Sequence, residues 1–166
     1  MPEVILVDTN NNPIGTMEKM QAHREGVLHR AFSILIYNSK GKMLLQQRAD
    51  EKYHSGGLWT NACCSHPKPE EEIVVAAHRR LKEELDLECS LDIIGHFIYH
   101  YQFEEDLFEH EYDFVLKGIC DDVPDLDPAE VKAFRWIEKN ELLNDIKANP
   151  TQYTFWFKEI ISRNLL

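Results

Sequence analysis

The sequence predicts an α+β or α/β sandwich in which helices flank a mixed sheet. Two observations carry that prediction. Stretches rich in branched and aromatic residues outnumber the helical ones, and the two kinds do not alternate regularly, which excludes a doubly wound nucleotide-binding fold. At 166 residues, with 43% hydrophobic side chains and no repeat, low-complexity tract or Pro/Gly/Ser linker, residues 1–166 read as one domain with a real core.

In order along the chain, "EVILVD" reads as a first strand and "TNNNPIGT" as a turn cluster. Residues 17–25, "MEKMQAHRE", suit a short helix. "HRAFSILIYN" and "KMLLQQR" flank "SKG" as a hairpin, and "HSGG" breaks the chain before "LWTNACC", a short buried strand. "KPEEEIVVAAHRRLKEELDL" opens with proline and acids, then runs apolar at helical spacing, which predicts a helix over 70–86. "LDIIGHFIYHYQF" and "HEYDFVLKGI" form a longer hairpin, "AEVKAFRWIEK" a further strand, and "NELLNDIKAN" and "TQYTFWFKEIISRNLL" closing helices.

A net charge of -11 argues against nonspecific binding to nucleic acid or anionic membranes, while leaving room for basic side chains around a small anion. No segment approaches the roughly 20 apolar residues of a membrane span. Four cysteines, two of them adjacent, do not make a secreted disulfide framework. A cytoplasmic protein with reduced thiols is expected.

On the 70–86 helix, Ile73, Ala77 and Leu81 share one stripe, with Leu85 at its margin. Arg80 and Glu84 project inside that stripe or at its edge. They form either an ion pair at the border of the core or a site in which Glu84 binds a divalent cation, because an inward carboxylate is costly to bury alone. Glu109, Glu111 and Asp113 lie on one face of a strand and Tyr112, Phe114 and Leu116 on the other. Taken alone, that acidic face reads more readily as the solvated face of a half-buried strand.

The stretch "SHPKPEEEIVVAAHRRLKEELDL" resembles the Nudix box, whose conserved residues align here with Glu71, Arg79, Leu81, Glu83, Glu84 and Leu87. Ser65 and Asp86 stand where the box has glycine, and Arg80 stands where it has the first glutamate of its metal-binding cluster. The resemblance implies a Nudix fold. The arginine argues against pyrophosphate hydrolysis, since a guanidinium replaces a carboxylate that would hold the hydrolytic metal.

Across nearly the whole chain, "GTMEKMQAH", "LHRAFS", "LLQQRAD", "LWTNACCSHP", "RRLKEEL", "EHE" and Trp156 resemble, in the same order, type I isopentenyl diphosphate isomerases. That resemblance implies metal-dependent interconversion of isopentenyl and dimethylallyl diphosphate without a redox cofactor. It implies Cys64 as the catalytic thiol, with Glu111 and Tyr99 on the opposite, acidic side. Adjacent Cys63 is read as a small buried hydrophobe on the other face of the strand. It further implies a site for one Zn²⁺ or Mn²⁺ made by His23, His29, His66, Glu109 and Glu111, Mg²⁺ being less natural on nitrogen. Lys19, Arg48, Lys52 and Arg80 would meet the diphosphate, whose Mg²⁺ would be held by Glu84 and the Cys64 carbonyl. Trp156 would face the cationic centre.

Two rival readings are a pyrophosphohydrolase and a nonenzymatic metal- or partner-binding module. The expected partner is a small prenyl diphosphate, with neither nucleic acid nor membrane, and the expected state is a monomer or weak homodimer.

Overall fold

The computed structural model describes all residues, Met1–Leu166. Its central strand is β3 (His29–Tyr37), a run of branched and aromatic residues that pairs on both sides. Before it come β1 (Glu3–Val7), β2 (Pro13–Glu18) and the short helix α1 (Lys19–Glu25). After it come β4 (Met43–Arg48), β5 (Trp59–Thr60), β6 (Cys63–Ser65) and helix α2 (Ile73–Leu85). The long hairpin β7 (Asp92–Glu104) and β8 (Leu107–Ile119) follows, then β9 (Val131–Ile137), α3 (Lys139–Ala148), a 3₁₀ turn at Pro150–Gln152 and α4 (Phe155–Ser162).

β3 runs parallel to β8 over nine residue pairs, while the other strand pairings are antiparallel. The sheet is therefore mixed, as expected. Alternation along β3 feeds two cores. Phe32, Ile34 and Ile36 pack with Ala76, Ala77, Leu81 and Leu85 of α2. Leu35 packs with Leu142 of α3 and Trp156, Phe157 and Ile160 of α4.

The structure trims three expected elements. The turn cluster around residues 9–16 is a turn only up to Asn12, where the Asp8 carboxylate accepts from the Asn10 and Asn12 amides and Asn11 adopts φ 65°. From Pro13 the chain pairs with β1 as an exposed strand, held by backbone hydrogen bonds and lacking the apolar alternation that would have revealed it. Helix α2 begins at Ile73, not at residue 70, because Glu70 is left-handed at φ 66° and Glu71 turns its carboxylate to the Lys68 amide and to Arg79. It ends at Asp86, itself left-handed at φ 53°, and Leu85 lies fully in the core. The last helix is confined to Phe155–Ser162 because Thr154 is extended and tied to β5, its amide donating to Trp59 O and its hydroxyl to Thr60.

Candidate active site

Helix α1 delivers the first imidazole. The Glu18 carboxylate accepts from the Met20 and Gln21 amides and starts the helix, and Gly26 closes it at φ 66°. The left-handed glycine reverses the chain within a few residues, so His29 at the head of β3 returns beside His23, their ring centroids 5.1 Å apart. Both rings are fully buried. His23 Nδ1 lies 2.6 Å from Lys19 O and His29 Nδ1 lies 2.8 Å from Val27 O. A carbonyl only accepts, so each Nδ1 carries its hydrogen and each Nε2 is left to face inward.

Strand register supplies the acids. Parallel pairing sets His29 beside Glu111, and the β7–β8 hairpin sets Tyr99 opposite the same residue. Glu109 and Glu111 face inward together, as their spacing of two predicts. His66, just beyond β6, completes the group: its Nε2 is 2.7 Å from Glu111 Oε2 and 3.3 Å from His29 Nε2. One ligand atom from each of His23, His29, His66, Glu109 and Glu111 lies within 4.8 Å of the others.

The donor set suits a cation. His23 Nε2 sits 3.3 Å from Glu109 Oε1, and His29 Nε2 sits 3.3 Å from Glu111 Oε2. These contacts need a positive charge between nitrogen and carboxylate, supplied either by a proton on Nε2 or by a bound cation. His23 Nε2 and Glu109 Oε2 are buried with no hydrogen-bond partner. Nitrogen and carboxylate donors held by carbonyls behind them fit a divalent transition metal.

Cys64 stands beside this group. Antiparallel pairing of β6 with β3 sets it opposite Ser33. Its neighbour Cys63 points the other way, into the core under α2, where its thiol donates to Glu84 Oε2 at 2.6 Å. The Cys64 thiol lies 3.2 Å from Asn61 Oδ1, and the Trp156 indole N–H donates to Sγ at 3.0 Å. The expected bias toward thiolate is not met by the protein's own side chains: burial first, and the Asp113 carboxylate second, push the thiol up to about 12. Tyr99 donates to Glu111, and burial followed by the Glu111 charge hold its phenol well above the ordinary value, keeping it a donor.

Cys64, Tyr99, Glu111 and Trp156 all line one chamber of about 30 Å³. The thiol and the carboxylate therefore face a shared space, too small for a five-carbon chain as it stands. Through Ser65 and His66 the chamber adjoins an open groove of about 580 Å³, into which Lys19 and Arg80 project. Lys52 reaches the groove's edge through Glu130, 2.6 Å away. Arg48 does not join them. It lies in the chamber with its guanidinium 5.0 Å from the Trp156 ring, donating to His54 O. Glu84 is buried between Cys63 and Arg80, and burial outweighs the arginine in raising its carboxyl.

Sequence reasoning missed several neighbours. His54, buried in the chamber wall, puts Nε2 2.6 Å from Glu109 Oε1 and stacks on Phe103. It lies in "HSGG", which carried only a chain-break signal. Ser33 donates to Asp113 at 2.8 Å behind the thiol, and Asn61 donates from its amide to Ile34 O and Cys63 O. Glu130 had no local signal, because its partners come from distant parts of the chain.

The fold is that of a Nudix-type protein whose clustered His and Glu donors could hold a metal ion, and the NUDIX domain model matches residues 27–157. The chain belongs to that family and, within it, to the isopentenyl-diphosphate Delta-isomerases. A relative of that name from Pectobacterium atrosepticum is 48% identical over 98% of this chain and 91% of its own length. One from Burkholderia multivorans is 49% identical over 96% of this chain and 91% of its own. Among solved structures, a Deinococcus radiodurans protein superposes with a TM-score of 0.81 at 20% identity, covering 97% of this chain and 98% of its own. A MutT protein from Methanosarcina mazei gives 0.67 at 20% identity, covering 82% and 91%. These two speak for the fold alone.

Proposed function

We propose that the protein interconverts isopentenyl diphosphate and dimethylallyl diphosphate by moving a proton across an allylic unit. The observation that carries this reading is the common chamber: Cys64 and the Tyr99–Glu111 pair line the same small space beside the His/Glu cluster. Isomerising an unactivated alkene needs an acid and a base facing one double bond, away from water.

In the direction from isopentenyl diphosphate, the Tyr99–Glu111 pair delivers a proton to the terminal methylene carbon. The tertiary carbon then carries the developing positive charge. Cys64, as thiolate, takes a proton from the allylic carbon next to the diphosphate-bearing one, and the double bond shifts by one position. No atom is gained or lost overall. The reverse reaction exchanges these roles. Trp156 presents an aromatic surface that stabilises positive charge by roughly 0.5–2 kcal/mol without capturing it. Its indole N–H, aimed at the sulfur, favours the thiolate form.

His23, His29, His66, Glu109 and Glu111 would hold one Zn²⁺ or Mn²⁺, with Mg²⁺ the less suited alternative. A cation there supplies charge that lowers the proton affinity of the Glu111 carboxyl. Lys19, Lys52 and Arg80 would meet the diphosphate at the groove, and Glu84 with the Cys64 carbonyl would hold its Mg²⁺. Arg48 would contribute from the chamber side.

The four cysteines are free, which suits a reducing, cytoplasmic setting. No helix is long and apolar enough to cross a membrane. With a net charge of -11, nucleic acid is not an expected partner, and a monomer or weak homodimer suffices for the site. The test is incubation with isopentenyl diphosphate in heavy water, following deuterium uptake and dimethylallyl product. Cys64→Ala is expected to lose both. Full turnover in that variant would remove the thiol from the reaction, and release of phosphate would favour a hydrolase.

A further inference from the structure

Glu130 is an anion in a place built for anions. It sits at the end of a tight turn before β9. The Asp127 side chain accepts from the Ala129 amide, Asp127 O accepts from the Glu130 and Val131 amides, and Glu130 O accepts from the Ala49 amide. The turn is thus pinned at both ends, and the carboxylate is aimed rather than free. Its Oε2 lies 2.6 Å from Lys52 Nζ and its Oε1 lies 3.5 Å from Arg80 Nη2. It lines the open groove together with Lys19. Lys19 and Lys52 crowd the same tyrosine, their Nζ atoms 4.6 and 5.7 Å from the Tyr53 ring.

Three cations held this close repel one another, and one carboxylate among them offsets that repulsion. Burial works against ionising Glu130, yet Lys52, Arg80 and Lys19 together hold its carboxyl below the ordinary range, so it is charged near neutrality. A diphosphate entering the groove would need the same three partners. A fixed negative charge at that point repels the charge of the diphosphate itself.

We propose that Glu130 is a resident stand-in for the substrate's phosphate: it satisfies Lys52 and Arg80 while the groove is empty and must give them up when a diphosphate binds. The proposal rests on Lys19, Lys52 and Arg80 being the diphosphate contacts. It makes affinity for both substrate and product weaker than the cradle alone would allow, and it speeds product departure by offering the cations an alternative partner. Stability of the free protein and affinity for diphosphate therefore oppose each other at this residue.

Glu130→Gln, nearly the same shape without the charge, separates the roles. Binding of inorganic pyrophosphate to the metal-loaded protein is measured by titration calorimetry, with and without added Mg²⁺, beside the melting temperature. The expected result is a lower melting temperature together with pyrophosphate binding about two- to fivefold tighter in both conditions, the range of a partly exposed ion pair. The gain shrinks as salt rises. Unchanged or weaker binding would overturn the proposal, including weakening seen only with Mg²⁺, which would make Glu130 a ligand of the diphosphate's cation. Glu130→Asp keeps the charge on a shorter arm and is expected to fall between the two. Lys19→Ala in parallel tests the footing: if it leaves pyrophosphate binding unchanged, the reading of the groove fails rather than the role of Glu130.

Discussion

The indole nitrogen of Trp156 donates a hydrogen bond to the sulfur of Cys64 across 3.0 Å, joining the first turn of α4 to the strand after β5. The aromatic ring proposed to face the cationic centre thereby also holds the thiol. A bond of this kind is stronger to a thiolate than to a thiol. Trp156→Phe keeps an aromatic face and removes the donor. A loss of roughly ten- to hundredfold in kcat is expected, the range of a hydrogen bond to a charged group. Slower alkylation of Cys64 should accompany it at fixed pH. Equal alkylation in the two proteins would show that the indole acts on the substrate alone.

The buried His23 Nε2 and Glu109 Oε2, neither with a hydrogen-bond partner, make the cluster costly when bare. Thorough chelation is expected to abolish isomerisation and to lower the melting temperature, and Zn²⁺ or Mn²⁺ to restore both. A ligand present at a hundred times its dissociation constant stabilises by about 2.7 kcal/mol, which sets the scale of the shift. Undiminished turnover after chelation would rule out an essential metal at this site.

Arg80 bridges Glu83, Glu84 and Glu130 along one edge of the groove. Arg80→Glu restores the residue expected of a hydrolytic Nudix box and places a fourth carboxylate among those three. Isomerase activity should fall by more than a hundredfold, chiefly through diphosphate binding. Calorimetry with pyrophosphate reads the loss directly. Retained affinity would move the diphosphate elsewhere.

Asp86 ends α2 in a left-handed conformation, φ 53°, where the family box carries glycine. Its carboxylate pairs with Lys82 at 2.6 Å, but both side chains are half exposed, so little is lost with that pair. Asp86→Gly is expected to raise stability by up to about 1 kcal/mol, the usual gain when strain at such a position is relieved. Denaturant unfolding measures it, and a destabilised variant would assign the ion pair more weight than its exposure suggests.

The local patterns were legible because they depend on short spacing. The period of two turns Glu109 and Glu111 to one face, and the contrast between Cys63 and Cys64 follows from the same rule. What was not legible depends on register between distant strands. Nothing in the sequence near His29 says that it lies beside Glu111, or that Tyr99 lies opposite; the parallel β3–β8 ladder decides the first and the β7–β8 hairpin the second. Family resemblance supplied the five clustered residues together. His54 and Glu130 escaped both routes: the first sat in a stretch read as a break, the second in a turn whose neighbours arrive from α2 and from the segment after β4. The exposed β2 was missed for a simpler reason, having no buried face to leave a pattern.

A chamber of about 30 Å³ walled by Trp156, Tyr99 and His54 has no slack. Any hydrocarbon tail that enters must push these rings apart, and each extra isoprene unit would push further against α4 and the β7–β8 hairpin. Discrimination by chain length is thus an expected consequence of the architecture: C10 and longer diphosphates are expected to bind more weakly than C5 ones, without any dedicated selectivity residue.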